Sequence, residues 1–343
     1  MANFSISPGV TLNEIDNTFL LGQPVQAGAA IIGPTTKGPV EHPTLVTSYS
    51  DYTSRFGDTI LSASTTVSYL TSIAAYSYFN YGGESLLVTR VTNGTYTAAT
   101  SSIIPTGSGY ISGSTYYMPS TGTSPFSLET IAKGVEQDNN MTGSAYYSNG
   151  LLTSGSTDNL RFEITSASTS SGLFNLTIRQ GNDIQNKKIV LETWNKVNLD
   201  PKSDRYISRV IGDQTITYDS INEQNVTTGD YPNNSRYIRV SAVNSQMPNY
   251  LNAVGTPNND YTASMPLAGN GTFGGGGGTI AGGALFYDEI STTTQGLAAT
   301  DYDIAIALMA NKDAYKYNVL FTPGLLNSLH TSQVTSIITN TIA

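Results

Sequence analysis

Few side chains in this sequence have the chemistry of an active site. Histidine occurs only at His42 and His330, so a catalytic triad or a two-histidine metal site would need one of them. His42 stands beside Pro43 in a predicted turn and His330 lies near a predicted helix start. We therefore interpret both as surface or capping residues. Cysteine is absent, which excludes disulfides, thiolate nucleophiles and cysteine metal sites.

Paired carboxylates are the remaining route to hydrolysis, because glycosidases use two of them. The nearest pairs are Asp288 with Glu289 and Asp301 with Asp303. Acidic residues at a helix start more often cap the helix and interact favourably with its dipole. We therefore predict that the protein is not an enzyme, and a hydrolase is the weakest alternative.

Residues 269–274 match the spacing of the dinucleotide-binding fingerprint, G-x-G-x-x-G. That chemistry needs a helix to begin at the glycines, so that its N-terminus meets the pyrophosphate. Further glycines follow here and cannot start a helix. We predict no cofactor and no metal. Polyglycine resists order, so residues 267–283 are interpreted as a flexible surface loop.

The composition excludes several classes of protein. Charged residues make up only 12% of the 343 residues, about half the share in a typical soluble domain. The net charge is −9 and no basic run occurs, which argues against direct binding of nucleic acid. No apolar stretch is long enough to span a membrane, so we predict no membrane insertion. Such a weakly charged, polar surface suits a large assembly or an extracellular structural protein.

Residues 21–95 alternate predicted strands and helices. Ser48 is a good N-cap for a short helix that Gly57 ends. The predicted elements are a buried strand at 27–33, a short strand at 43–46, a helix at 49–56, a longer helix with Val67, Leu70, Ala74 and Tyr78 on one face, and a strand at 86–91.

Residues 96–266 have a different character and are predicted to be an inserted, β-rich outer domain. Apolar and polar residues alternate in several short runs, as in Leu160, Phe162 and Ile164 against Arg161 and Glu163. This pattern is typical of half-exposed antiparallel strands. Trp194, the single tryptophan, is interpreted as a core or rim aromatic residue.

Residues 284–343 return to an α/β pattern. The predicted elements are a short helix presenting Ile304, Ala307 and Leu308, a buried strand at 318–321, and a final helix presenting Val334, Ile337, Ile338 and Ile342. A βα unit normally returns to its sheet, so we expect the native core to continue past Ala343. The predicted fold class is therefore a mixed α/β (α+β) multi-domain protein, with a core interrupted by an antiparallel β-rich insertion.

Residues 1–20 are predicted to form an extended N-terminal arm. Val10 and Leu12 follow the turn signal Pro8-Gly9 and alternate with polar residues, which is the period of a strand. Ten extended residues reach about 33 Å, enough to pair with the sheet edge of another subunit. The alternative is a frayed terminus with one local strand.

Short motifs along the whole chain resemble, in order, those of contractile tail sheath proteins, the outer sleeve of myovirus-type phage tails and related injection machines. They are Ser7-Pro8-Gly9-Val10 with Glu14, Gly33-Pro34, Gly38-Pro39, Arg55-Phe56-Gly57, Gly82-Gly83, Leu87-Val88-Thr89-Arg90-Val91, Phe126-Ser127-Leu128, Leu160-Arg161-Phe162-Glu163-Ile164, Asn198-Leu199-Asp200-Pro201, Asp301-Tyr302-Asp303 and Pro323-Gly324-Leu325.

The resemblance implies a structural subunit of a virion, assembled in the host cytoplasm. Subunits would form a homo-oligomer of six-fold rings, stacked helically around a tail tube protein and joined to baseplate and tail terminator proteins. Pro8, Gly9, Val10 and Leu12 would link neighbouring subunits through the arm. Contraction would drive the tube through the host envelope. A β-rich receptor-binding or adhesin protein is the alternative, which accounts for the composition but poorly for the flanking α/β regions.

Overall fold

The computed structural model describes residues 24–62, 65–105, 111–112, 116–117, 123–139, 152–278 and 297–342. The strands of these residues are β1 Val25–Gly33, β2 Thr44–Val46, β3 Thr59–Ser62, β4 Thr65–Ser68, β5 Leu86–Arg90, β6 Ala98–Ser102, β7 Ile111–Ser112, β8 Tyr116–Tyr117, β9 Phe126–Lys133, β10 Leu160–Ser168, β11 Leu173–Gln180, β12 Val190–Val197, β13 Thr215–Asp219, β14 Gln224–Thr228, β15 Ile238–Val243, β16 Gly269–Thr272 and β17 Tyr315–Phe321. The α-helices are α1 Tyr49–Phe56, α2 Leu70–Asn80, α3 Ile207–Ile211, α4 Asn259–Thr262, α5 Asp303–Ala310 and α6 Thr331–Ile337.

A four-stranded sheet with the order β17-β1-β5-β2 forms the α/β part of the protein. β5 and β17 run parallel to β1, and β2 runs antiparallel to β5. Ala29 and Ile31 pack beneath α1 and α2, whereas Ala30 and Ile32 face α5 and α6. Because helices cover both faces, β1 needs apolar residues at successive positions. The prediction of a buried strand at 27–33 is confirmed.

Helix α1 begins and ends where its sequence signals predict. The Ser48 side chain accepts a hydrogen bond from the backbone N–H of Asp51 at 3.1 Å, which satisfies one of the free donors of the first turn. Gly57 ends the helix with φ of 74°, a conformation that glycine adopts without steric cost. The helix predicted at 49–56 is confirmed.

Helix α2 buries a face different from the predicted one. Val67 lies in the β3–β4 hairpin that precedes the helix, and the buried positions include Thr71 and Ser72. Ser72 is hydrogen-bonded to the Tyr52 hydroxyl at 3.0 Å, and a Cβ at Gly33 would meet the Thr71 hydroxyl at 2.3 Å. Close packing against the sheet therefore selects small residues here, which a count of apolar positions cannot detect.

Two sheets, β12-β11-β10-β16-β8-β7 and β15-β9-β6, form the β-rich insertion. β10, β11 and β12 pair antiparallel, as predicted. Both sheets contribute side chains to a common core that includes Phe126, Phe162, Phe174 and Phe273. Trp194 is half-buried at the margin of this core, in agreement with its prediction as a rim residue.

The glycine-rich stretch is not a surface loop at residues 269–272, where it forms strand β16. β16 lies between β10 and β8, and the next glycines pair with β6 through the Thr100 N–H to Gly274 carbonyl bond of 2.8 Å. A Cβ at Gly276 would meet the Gly134 carbonyl oxygen at 2.6 Å. Glycine therefore permits a close backbone approach here, and no helix follows within the described residues up to 278.

Arg90, at the end of β5, connects the α/β sheet to the insertion. Its side chain is 1% exposed. Its Nη1 donates to the carbonyl oxygens of Gly38 at 2.9 Å and Lys133 at 2.7 Å. Its guanidinium lies 5.1 Å from the ring centroid of Tyr96, within range of a cation–π interaction. Because Gly38 follows β1 and Lys133 ends β9, this one side chain links both parts of the fold.

A buried ion network covers the face of β10 and β11 that is opposite to the apolar core. Arg179 donates to Asp183 through Nε at 2.6 Å and Nη2 at 2.9 Å, and Arg161 Nη1 reaches the same carboxylate at 3.0 Å. Glu163 accepts from Arg179 at 3.2 Å and from Lys188 at 2.7 Å. The prediction that this face is exposed is wrong, because the turn that carries Asp183 folds across it.

Candidate assembly interface

Strand β17 has an open outer edge. It pairs with β1 from Val25 opposite Tyr315 to Ile31 opposite Phe321, and has no second partner strand among the described residues. Backbone N–H and C=O groups on the outer side of such a strand are available to another chain. The α/β sheet can therefore accept one more strand at this edge.

The side chains of β17 match this position at the edge. Tyr315 and Tyr317 are half-buried, whereas Lys316 and Asn318 are exposed. Val319 is 48% exposed, and residues 320 and 321 are half-buried, so the prediction that the strand at 318–321 is buried is wrong. The alternation from 315 to 318 was a usable signal, because it is typical of a half-exposed strand and lysine is common on open edges.

Helices α5 and α6 support β17 from one face. The Tyr317 hydroxyl donates to the Met309 carbonyl oxygen at 2.8 Å. Burial raises the pKa of Tyr317, so this hydroxyl stays protonated and continues to donate. Gln333 donates to the Asp303 carboxylate at 3.1 Å and joins α6 to α5. The two helices therefore hold the edge strand in a fixed position.

Exposed apolar side chains continue beyond β17. Leu326 and Leu329 are 46% and 56% exposed in the turn that follows the strand, and Ile338 is 55% exposed after α6. A groove of about 760 Å³ lies beside the start of β17 and includes Tyr315 and Thr341 in its lining. Strand β17 thus offers an open backbone edge, with space beside its start and exposed apolar side chains in the residues that follow it.

The predicted arm residues Pro8, Gly9, Val10 and Leu12 lie outside the described residues. Their role in contacts between subunits therefore remains a prediction. The boundaries of the arm, core and insertion likewise remain predictions.

Two of the residues considered for catalysis, Asp301 and His330, have structural partners. Asp301 accepts from the Ala298 N–H at 2.8 Å and from Asn93 at 3.0 Å, as expected of a capping residue. His330 is the N-cap residue of α6, but it is buried, and its Nδ1 accepts from the Leu326 N–H at 2.9 Å. Asp288 and Glu289 lie outside the described residues.

Among the described residues, no group of three or more His, Asp or Glu side chains is arranged to hold a metal ion. In the same part of the chain, no helix has the length and apolar character needed to cross a membrane.

These features define a multi-domain α+β protein with a mixed sheet, which is interrupted by a β-rich insertion and, among the described residues, is open at β17. No protein-family model and no curated protein sequence matches the chain. The chain is similar to a solved sheath tail protein from Listeria innocua, with 9% identity and a TM-score of 0.44 over 92% of this chain. It is also similar to one from Desulfitobacterium hafniense, with 11% identity and a TM-score of 0.31 over 98% of this chain. The chain spans 45% of the first protein and 62% of the second.

Proposed function

We propose that this chain is a structural, non-enzymatic subunit of a contractile tail sheath. The observation that carries the proposal is the split α/β sheet. β1 and β5 come from the N-terminal region and β17 from the C-terminal region, whereas the residues between them form the separate sheets of the insertion. This is the architecture that the order of the sequence motifs implies.

In this function, subunits form six-fold rings that stack helically around a tail tube, between a baseplate and a tail terminator. The arm of one subunit adds a strand to the open edge of β17 in a neighbour. Backbone hydrogen bonds would supply the affinity, and Val10 and Leu12 would anchor the added strand. Such links between subunits keep the rings joined while the subunits rotate and slide. Contraction of the sheath releases the strain of its extended state.

Electron microscopy of the native assembly with image averaging tests this function. Stacked six-fold rings around a narrower tube are expected. A three-fold fibre with affinity for glycans would overturn the proposal in favour of the adhesin, which the polar composition also supports. Isolated monomers from the native source would contradict both assemblies.

Deleting residues 1–16 is expected to abolish tube formation without unfolding the subunit. The reason is that the deleted residues precede β1, the first strand of the sheet, so the described core keeps all of its elements. Circular dichroism should show an unchanged melting temperature, and negative-stain images should show no tubes. Normal tubes from the deleted chain would refute the assignment of the arm.

Two matched double variants test whether a loss of assembly results from loss of the apolar anchors or from the added negative charge. Val10→Asp with Leu12→Asp is expected to prevent tubes, because both apolar anchors become charged. Thr11→Asp with Asn13→Asp adds the same charge on the other face of the strand and should retain assembly. Equal effects of the two would show that these side chains are not anchors.

A further inference from the structure

A cavity of about 350 Å³ lies between the α/β sheet and the β-rich insertion. Its walls come from the loop after β1, from α1, from the end of β9 and from residues 214–216 and 232–239. This volume is within the range of small-molecule sites. We call it the junction cavity, and it is distinct from the open edge of β17.

Cationic side chains are concentrated around the junction cavity. Lys37, Arg55, Lys133, Arg236 and Arg239 all line it, in a chain that has only 16 Lys and Arg and a net charge of −9. The local charge is therefore opposite in sign to that of the whole protein. Such a cleft attracts anions and concentrates them.

Two of these cations have a carboxylate partner of their own. Arg239 Nη2 lies 2.7 Å from Glu129 Oε2, and its Nε lies 3.3 Å from the other oxygen of the same carboxylate. Lys37 Nζ lies 3.3 Å from Asp158 Oδ1. These pairs are neutral as units, so they form part of the wall without adding net charge.

The other three cations are not fully neutralised. Arg55 and Arg236 share one oxygen of Asp51, at 2.9 and 3.2 Å. Lys133 forms no ion pair with any residue of the described ranges. Glu192 also borders the cavity, because its carboxylate accepts from the Arg236 N–H at 2.9 Å and from the Ser235 hydroxyl. These three cations therefore lie near two carboxylates, which leaves an excess of one positive charge at the cavity.

His42 also lines the junction cavity. Its Nδ1 is buried and has no hydrogen-bond partner among the described residues. Burial, followed by the charges of Lys133 and Arg55, lowers the pKa of His42 to about 4, so its ring is neutral at pH 7. A neutral imidazole can hydrogen-bond to a ligand without adding charge.

Apolar groups complete the wall. They belong to Pro39, Val40, Ile131, Ile216 and Pro232. A site with an apolar wall and a few polar groups favours an organic ligand over an inorganic ion, because the carbon atoms of the ligand are also removed from water.

We infer that the junction cavity binds a small organic carboxylate. Its acidic groups interact with Lys133 and with Arg55 and Arg236, and its carbon atoms lie on the wall formed by Pro39 and Val40. An occupant would touch both the α/β sheet and the insertion, and would therefore hold them together. This inference does not depend on the proposed sheath function.

Titration of the full chain with succinate, followed by calorimetry and thermal melting at constant ionic strength, tests the inference. Saturable binding with a rise in melting temperature is expected. Lys133→Gln should weaken binding about tenfold, because it removes the unpaired cation. Lys202→Gln, an exposed lysine outside the cavity, is the matched control and should bind succinate normally.

Three outcomes would overturn the inference: no saturable binding, equal binding by the Lys133→Gln protein, or equally tight binding of inorganic phosphate, which has no carbon atoms for the apolar wall. Arg236→Gln is the second variant, because its side chain is 58% exposed and its loss leaves the fold intact. It should also weaken succinate binding, and normal binding by both variants would contradict the assignment of the site.

Discussion

The Arg90→Met protein is expected to lose about 3 kcal/mol of its free energy of unfolding. Methionine keeps most of the aliphatic stem but removes the donors to the Gly38 and Lys133 carbonyl oxygens. A buried polar group without a partner costs about 1–3 kcal/mol, and the Lys133 carbonyl loses its charged donor here. The Gly38 carbonyl also loses a charged donor but keeps the bond of 3.1 Å from the Lys133 N–H. Urea denaturation followed by circular dichroism measures the change, and the junction between sheet and insertion should become sensitive to proteolysis.

Arg209→Met is the matched control for this experiment. Arg209 also lies over a tyrosine ring, with its guanidinium 5.5 Å from the centroid of Tyr231. Its side chain is 40% exposed and leaves no buried carbonyl group unpaired, so its loss should cost well under 1 kcal/mol. Equal losses from the two substitutions would show that Arg90 does not connect the two parts of the fold.

Asp183→Asn is expected to destabilise the insertion by about 3–5 kcal/mol, because it removes the carboxylate shared by two buried guanidinium groups. The substitution changes almost no volume, so the loss reports charge and hydrogen bonding. Asp204→Asn is the control, since the side chain of Asp204 is 97% exposed and its pair with Arg209 should contribute at most about 1 kcal/mol.

A triple variant distinguishes uncompensated charge from loss of shape. Arg161→Met, Arg179→Met and Asp183→Leu together replace the centre of the network with apolar groups. Such replacements are often neutral or stabilising, so the triple variant should be more stable than Asp183→Asn alone. If Asp183→Asn unfolds at the same urea concentration as the unmodified protein, the network does not stabilise the insertion.

Elements with local signals could be predicted from the sequence. The apolar run of β1 indicates a strand covered on both faces. Ser48 and Gly57, the two residues that flank α1, mark its ends. The alternation in β10 and β11 likewise predicts their type, because the side chains of a strand point to opposite faces.

Features that depend on distant residues could not be predicted in this way. Arg161 alternates with apolar residues and is predicted to face solvent, yet the turn around Asp183 buries it. Val319 has the composition of a core residue, but its exposure follows from the strand order, which places β17 at an edge. β16 has no clear side-chain pattern, because two of its four residues and all of residues 274–278 are glycine.

The same limit applies to the candidate interface. Strand period and motif resemblance predict the arm residues, whereas the open edge that we propose as their acceptor is apparent only from the pairing of β17 with β1. The sequence separates these two strands by the whole insertion. The alternation at 315–318 indicates a half-exposed strand, but it does not indicate which strand is its neighbour.

The order of strands in the α/β sheet also determines when these strands can pair during synthesis. β1 and β5 leave the ribosome early, but β17 follows the entire insertion. At roughly 5–20 residues per second, the interval is on the order of 10–45 s. During this time one side of β1 has no neighbour and is open to nascent chains on the same messenger. The free side of β1 is therefore closed only after β17 has been synthesised and has paired with it. Strand β17 then presents the open edge that is available to another chain.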